Sequence, residues 1–569
     1  MTLLPSAGEI AHLRNLIRSN VPPSEPRALR SQIHAISERV AKCRELSANT
    51  TDFDETEQQR CLDEADQLDT YAYLCRSVLS PIRRLPPEIL SQIFSLCLPN
   101  ITKDLSSKDY TAEIHRLTHR ELLILGQVCA HWRAIALGTP SFWRIIDLDL
   151  MFWSHKMLPL VEESLARSAN SLLHLRLGAP DNITVDSSLL KLLARHSSRW
   201  QAVLLCMDFS FSAALAEIKG NLPRLEYIHL AGLIDQDGAD VALALEHATA
   251  AVSLIADAPS LVDVAYTGPV RALDALPWSQ LERFEYFDVH LHELNEALSV
   301  IRHFPPGLQF DIRRLFMPHI HTTQSNPLGL PVTRHYSENL HSMIIELQSS
   351  TGLGIEEVLN RVTLPALTHL EATSIYYPAT PGPLLWNQES FQAASYRSDW
   401  AKSLTSLYLF HVLLRPAELL STLTSLPRLS VVVVADHAPN EVLLNNDVLQ
   451  ALVWDPDNDR TLLPNLTVFG ALSLLSFDEN LLLAFFRSRL EKMDTTPSLP
   501  HPVADVEGAP ECEAYIRWLP ETPSERLEKF KKNVLDELRE LAAPGGSCRK
   551  GVVWSMEAAT ETELKTFFY

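Results

Sequence analysis

Residues 222–230 read LPRLEYIHL, with apolar side chains at Leu222, Leu225, Ile228 and Leu230. Two steps of three followed by one of two describe a chain that turns and then enters a half-buried strand, where side chains alternate between faces. The same phase returns on either side. Towards the N-terminus it appears in ANSLLHLRL at 169 and SRWQAVLL at 198; towards the C-terminus in PSLVDVAY at 259, SQLERFEY at 279 and ENLHSMII at 338. PALTHLEA at 365, SLTSLYL at 403, PRLSVVVV at 427 and PNLTVFGA at 464 complete the series. Segments between them, such as PAELLSTLTSLP from Pro416, carry a helical pattern.

This phase resembles the L-x-x-L-x-x-L-x-L core of leucine-rich repeats. Spacings between well-matched copies run from about 20 to 37 residues, so the array is irregular. Strand–helix units of this kind stack into a solenoid, each burying its face on its neighbours. The competing reading is a set of unrelated buried strands in an ordinary α/β domain; ten copies of one phase favour the solenoid. The residues flanking the inner pair of each strand are expected on the concave surface: His174 and Arg176, Tyr227 and His229, Arg283 and Glu285, His369 and Glu371, Tyr408 and Phe410. A mixture of aromatics and both charges suits a protein partner, so these are the candidate target-binding residues.

Outward on the N-terminal side, LPPEILSQIFSLCLPN from Leu85 places two prolines at the mouth of a short apolar helix. A polar insertion, ITKDLSSKDYTAEIHRLTH, leads to a second expected helix, RELLILGQVCAHWRAIALGTP, with Leu125, Val128, Cys129, Trp132 and Ile135 on its inner stripe. SFWRIIDLDL comes next. Leu85-Pro86-Pro87-Glu88-Ile89-Leu90 to Phe94, then Leu125 to Val128-Cys129, Trp132-Arg133 and Pro140 to Trp143, resemble an F-box, over about sixty of the 569 residues. That resemblance implies docking on the Skp-type adaptor of a Skp–cullin–F-box ubiquitin ligase, with Leu85, Pro86, Ile89, Leu90, Ile93, Val128 and Trp132 forming or supporting the adaptor-binding surface. It implies a non-catalytic, substrate-recruiting subunit that reaches a cullin through the adaptor. The insertion is longer than the compact loop of simple F-boxes, and no contact is carried over from it.

Residues 24 to about 80 read as two helices in a coiled-coil-like hairpin, the second with a heptad seam through Cys61, Ala65, Leu68, Ala72, Cys75 and Leu79. Packing of the hairpin on itself is favoured over pairing with a second copy. Beyond Phe477 an amphipathic helix starts at Ser524, with Leu527, Phe530, Val534, Leu538 and Leu541 on one face, and GVVWSM supplies a closing strand. The expected fold is therefore mainly α plus an α/β solenoid: helical hairpin (1–80), F-box (81–148), irregular leucine-rich-repeat solenoid (149–476) and C-terminal cap (477–569). This layout resembles the large group of fungal F-box proteins.

Composition narrows the function. A formal charge of -21 and no Lys/Arg-rich run argue against nucleic-acid binding, which needs a basic face. No run of 18 apolar residues predicts a membrane span, and the N-terminal residues lack a signal-peptide pattern. The sequons at Asn49, Asn100, Asn182 and Asn465 are therefore read as chance matches. Eight cysteines without a CxxC pair fit a reducing compartment, cytoplasmic or nuclear. No phosphate loop or nucleophile elbow occurs. His115 and His119 stand four apart, but Arg116 replaces the glutamate a zincin needs. His290 with His292, and His319 with His321, each offer half a zinc site, and acidic residues such as Asp147 and Asp149 are dispersed. No catalytic, cofactor or metal residues are expected. The alternative function is a repeat-based interaction scaffold acting outside any ligase.

Overall fold

The computed structural model describes residues 4–49, 55–98, 120–179, 185–232, 241–289, 293–316, 332–348, 354–374, 384–436, 442–455, 461–495, 512–518, 522, 524–535 and 552–558. The insertion from 99 to 119, the histidine pairs 115/119, 290/292 and 319/321, and Leu538 and Leu541 lie outside them. The chain divides into two compact units near Arg176–Leu177.

In the first unit three helices, not two, precede the proline-led segment: α1 (Ala7–Ser19), α2 (Pro26–Asn49) and α3 (Glu55–Leu79). Sequence reasoning missed α1, whose start signal is a capping box. Ser6 Oγ accepts from the Glu9 amide at 3.2 Å, and the Glu9 carboxylate accepts from the Ser6 amide at 2.7 Å. Ala65, Leu68, Ala72 and Cys75 of the heptad seam are buried with Ile36, Val40 and Cys43 of α2 and Leu13 of α1, so the seam is filled within the chain. Arg83 ties this bundle to the proline-led segment. Its guanidinium donates to the carbonyls of Leu16 (2.7 Å) and Ile17 (3.1 Å) in the last turn of α1, where carbonyls lack onward helical donors, and to that of Val21 (3.5 Å) just beyond it.

Helix α4 (Pro87–Cys97) starts with Pro87 in its first turn. The expected single helix after the insertion is two: α5 (Arg120–Leu125) and α6 (Ala130–Gly138). Cys129 breaks the run. It is extended at φ -158°, and its sulfur accepts from the Trp132 amide at 3.4 Å, so it caps a new helix instead of continuing the old one. Leu90, Phe94, Leu122, Ile135, Phe142 and Trp143 form the core, with Phe94 edge-on to Trp132 at 4.8 Å. Strand β1 (Ile145–Asp149) comes next, and Asp147 is ion-paired with Arg176 of β2 (Leu173–Gly178).

In the second unit the main strands form one parallel sheet in chain order: β3 (Trp200–Cys206), β4 (Tyr227–Ala231), β5 (Asp263–Thr267), β6 (Arg283–Phe287), β7 (Gln309–Phe316), β8 (Ser342–Gln348), β9 (His369–Ser374), β10 (Ser406–Phe410), β11 (Val431–Ala435) and β12 (Val468–Ser473), while short segments pair separately, Val362–Thr363 with His335–Tyr336 and Leu384–Leu385 with Val412–Leu413. Two further strands, β13 (Cys512–Trp518) and β14 (Val552–Ala558), carry the sheet past the end expected at 476, and the predicted closing strand is β14. The repeat positions point into one core: Leu222, Leu225, Ile228 and Leu230 are buried, as are Leu404, Leu407 and Leu409. One register column is marked by hydroxyls. Thr368 Oγ1 donates to the His341 carbonyl (3.0 Å), Thr405 Oγ1 to that of Thr368 (3.1 Å), Ser430 Oγ to that of Thr405 (3.2 Å) and Thr467 Oγ1 to that of Ser430 (3.1 Å).

Candidate functional site

Two faces carry the sequence-predicted residues, one in each unit. In the first unit α4 has two apolar stripes at helical spacing. Leu90 and Phe94 turn inward and are fully buried, while Ile89, Ile93 and Leu96 lie on an adjoining face. Ile89 is 41% exposed and Leu96 87% exposed. Leu123, Ile124 and Val128, around the break between α5 and α6, are each about half exposed. Pro86 is exposed; Leu85 and Trp132 are half-buried and lean on the core, and Ile93 is half-buried. Leu90 is sealed in the core one turn from Phe94, which leaves it the supporting role alone. One expectation needs correction. Val128 is not on an inner stripe, because the break at Cys129 swings it outward. Sequence reasoning missed Leu96, Leu123 and Ile124, although the 89/93/96 spacing is visible as a second stripe beside 90/94.

In the second unit the strand residues between the core positions form a second face of the sheet. Register places Asp263, Arg283 and Gln309 in one column, and Ala265, Glu285, Asp311, Ile344, Glu371 and Tyr408 in the next. The expectation that the flanking residues stand in solvent fails for His229, Glu285 and Phe410, which are buried; in the first unit His174 is buried too. Arg176, Tyr227, Arg283, His369, Glu371 and Tyr408 are half-buried. The reason is lateral. Parallel strands lie about 5 Å apart, and large side chains reach diagonally across them to shield their neighbours: His229, in register with Ala265, stacks on Phe287 at 5.0 Å, and His369, in register with Ser406, lies 4.9 Å from Tyr408. Phe410 joins an apolar cluster with Val431, Val433 and Leu472.

The middle of this face is ionic. Arg313 donates to Asp311 at 2.9 Å and to Glu346 at 3.3 Å, and lies 3.6 Å from Glu285. Arg283 is 3.6 Å from Asp263 and 4.0 Å from Glu285. Burial pushes the Glu285 carboxyl up to about 8, with Arg313 opposing and Asp311 and Asp263 reinforcing the shift. Burial likewise raises Asp263 to about 6, against the pull of Arg283. Burial lowers the pKa of His369, partly offset by Asp311. No group of three or more metal-ligating side chains is present among the described residues, and no described helix is long and apolar enough to cross a membrane.

Residues 82–149 match the family model described as F-box-like. The chain carries an F-box-like domain. Both exposed stripes of the first unit fall inside it. No curated protein matches the chain. Among solved structures it is similar to one titled "Crystal structure of TLR13-ssRNA13 complex", at 13% identity and a TM-score of 0.29; the match covers 64% of this chain and spans 42% of that one.

Proposed function

We propose that the chain is the substrate-recruiting, non-catalytic subunit of a Skp–cullin–F-box ubiquitin ligase. Its F-box-like domain docks on the Skp-type adaptor, and the second unit holds the target protein. The observation that carries this reading is the exposed apolar side chains Ile89 and Leu96 on α4, with Leu123, Ile124 and Val128 also exposed, within residues that match the F-box-like model. Burying such side chains contributes roughly 1.5–3 kcal/mol each. Association costs on the order of 4–15 kcal/mol, so several anchors together are needed and none is dispensable. The chain itself makes or breaks no bond; it raises the effective concentration of target beside a ubiquitin-charged enzyme.

Co-purification with a Skp-type adaptor tests this. Ile89→Asp with Leu96→Asp buries charge in the interface without touching the Leu90–Phe94 core, and is expected to weaken adaptor binding at least 100-fold at unchanged melting temperature. Undiminished binding in that variant, or no adaptor binding by the parent chain, would return the protein to the alternative role of a repeat scaffold acting outside a ligase.

A further inference from the structure

The ionic patch on β5–β8 is more than a structural bridge network, because its charges do not balance and its bonds are not complete. Carboxylates from Asp263, Glu285, Asp311 and Glu346 outnumber the guanidinium groups of Arg283 and Arg313. The Glu285 side chain is 2% exposed, yet neither of its oxygens accepts a hydrogen bond among the described residues. A buried carboxyl without a hydrogen-bond donor is left unsatisfied, and donors brought to both of its oxygens would favour its ionised form. Arg313, 3.6 Å from Glu285, is engaged by Asp311 and Glu346, whereas Arg283 is held loosely: it stands 4.0 Å from Glu285 and 3.6 Å from Asp263, and its side chain is 38% exposed. Arg283 is thus the movable cover of a recessed acidic floor. One strand further on, Glu371 pairs in register with Tyr408, whose ring lies 4.9 Å from His369, and an aromatic face beside carboxylates favours a cation.

We propose that this patch is the target-recognition pocket and that it receives an arginine side chain from an extended basic segment of the target protein. The incoming guanidinium displaces Arg283 and supplies Glu285 with the paired N–H donors it lacks. A phosphate backbone would meet repulsion from the same carboxylates, and an apolar segment would leave Glu285 as it is. The inference rests on the reading of the chain as a recruiting subunit, deepening it to a class of target.

The test uses the full chain with its adaptor and a fluorescein-labelled Gly/Ser peptide carrying two arginines, read by anisotropy, beside the same peptide with two glutamates. Binding of the arginine peptide alone is expected. Asp263→Asn with Glu285→Gln should lower its affinity at least ten-fold. Asp63→Asn with Asp66→Asn, the same number of carboxyls removed at exposed sites of α3, should leave it unchanged. Arg283→Ala should strengthen binding several-fold, an outcome a folding defect cannot produce. Equal weakening by both neutralised pairs, indifference to Glu285, or weaker binding by Arg283→Ala would overturn the proposal. Adaptor co-purification is scored in every variant: its loss with peptide binding intact removes the ligase reading and leaves the pocket standing.

Discussion

At the scale of single residues, Glu285 shows what a sequence can and cannot display. Strand alternation places it on the correct face of the sheet. Its burial depends on what flanks it in register, Asp311 on one side and Ala265 on the other, and those neighbours come from the adjoining repeats, beyond any local pattern around Glu285. The energetic sign is calculable. A carboxyl whose folded pKa is raised, here to about 8, adds stability at pH values below its ordinary range near 4.5 and loses that contribution as pH rises through the folded value. Asp263, raised to about 6, acts in the same direction at lower pH. The melting temperature is therefore expected to fall between about pH 5 and 9, and Glu285→Gln should flatten the upper part of that slope. A scanning-fluorimetry series across pH decides it; a slope unchanged by the substitution would show that another group governs it.

Among elements, helices are legible where a start signal is local and illegible where a stop depends on one residue's conformation. Pro86 and Pro87 announce α4. The capping box at Ser6 and Glu9 announces α1 equally clearly, and sequence reasoning missed it. Nothing in the composition of RELLILGQVCAHW marks Cys129 as extended, since periodicity runs straight through it; the break serves the packing of Trp132 on Phe94. Arg83 links two elements that no local pattern joins, because its partners are carbonyls 62 to 67 residues away. Arg83→Ala leaves those carbonyls without a charged donor and should cost about 1–3 kcal/mol in urea denaturation of the chain. Amide exchange should rise first at the C-terminal turn of α1. If α2 and α3 loosened before it, the staple would belong to the hairpin instead.

For the whole molecule, the repeat phase is legible because each copy buries the same positions, and ten copies average out local noise. The connections are not, since helices such as Pro416–Thr424 and 3-10 turns such as Val270–Ala275 occupy equivalent places in different repeats. Nearest-neighbour stacking makes damage local. Leu409→Ala, at a fully buried position, is expected to cost about 2–5 kcal/mol. Hydrogen exchange should rise in β9 to β11 and remain at parent values in β3 to β5; uniform loosening of the sheet would mean that it melts as a single block. The column of Thr368, Thr405, Ser430 and Thr467 bears on how such a molecule diversifies. It works as a ruler. The excursion between two of those marks can be lengthened, shortened or rewritten without disturbing the next coil, provided each excursion returns its small alcohol to the line.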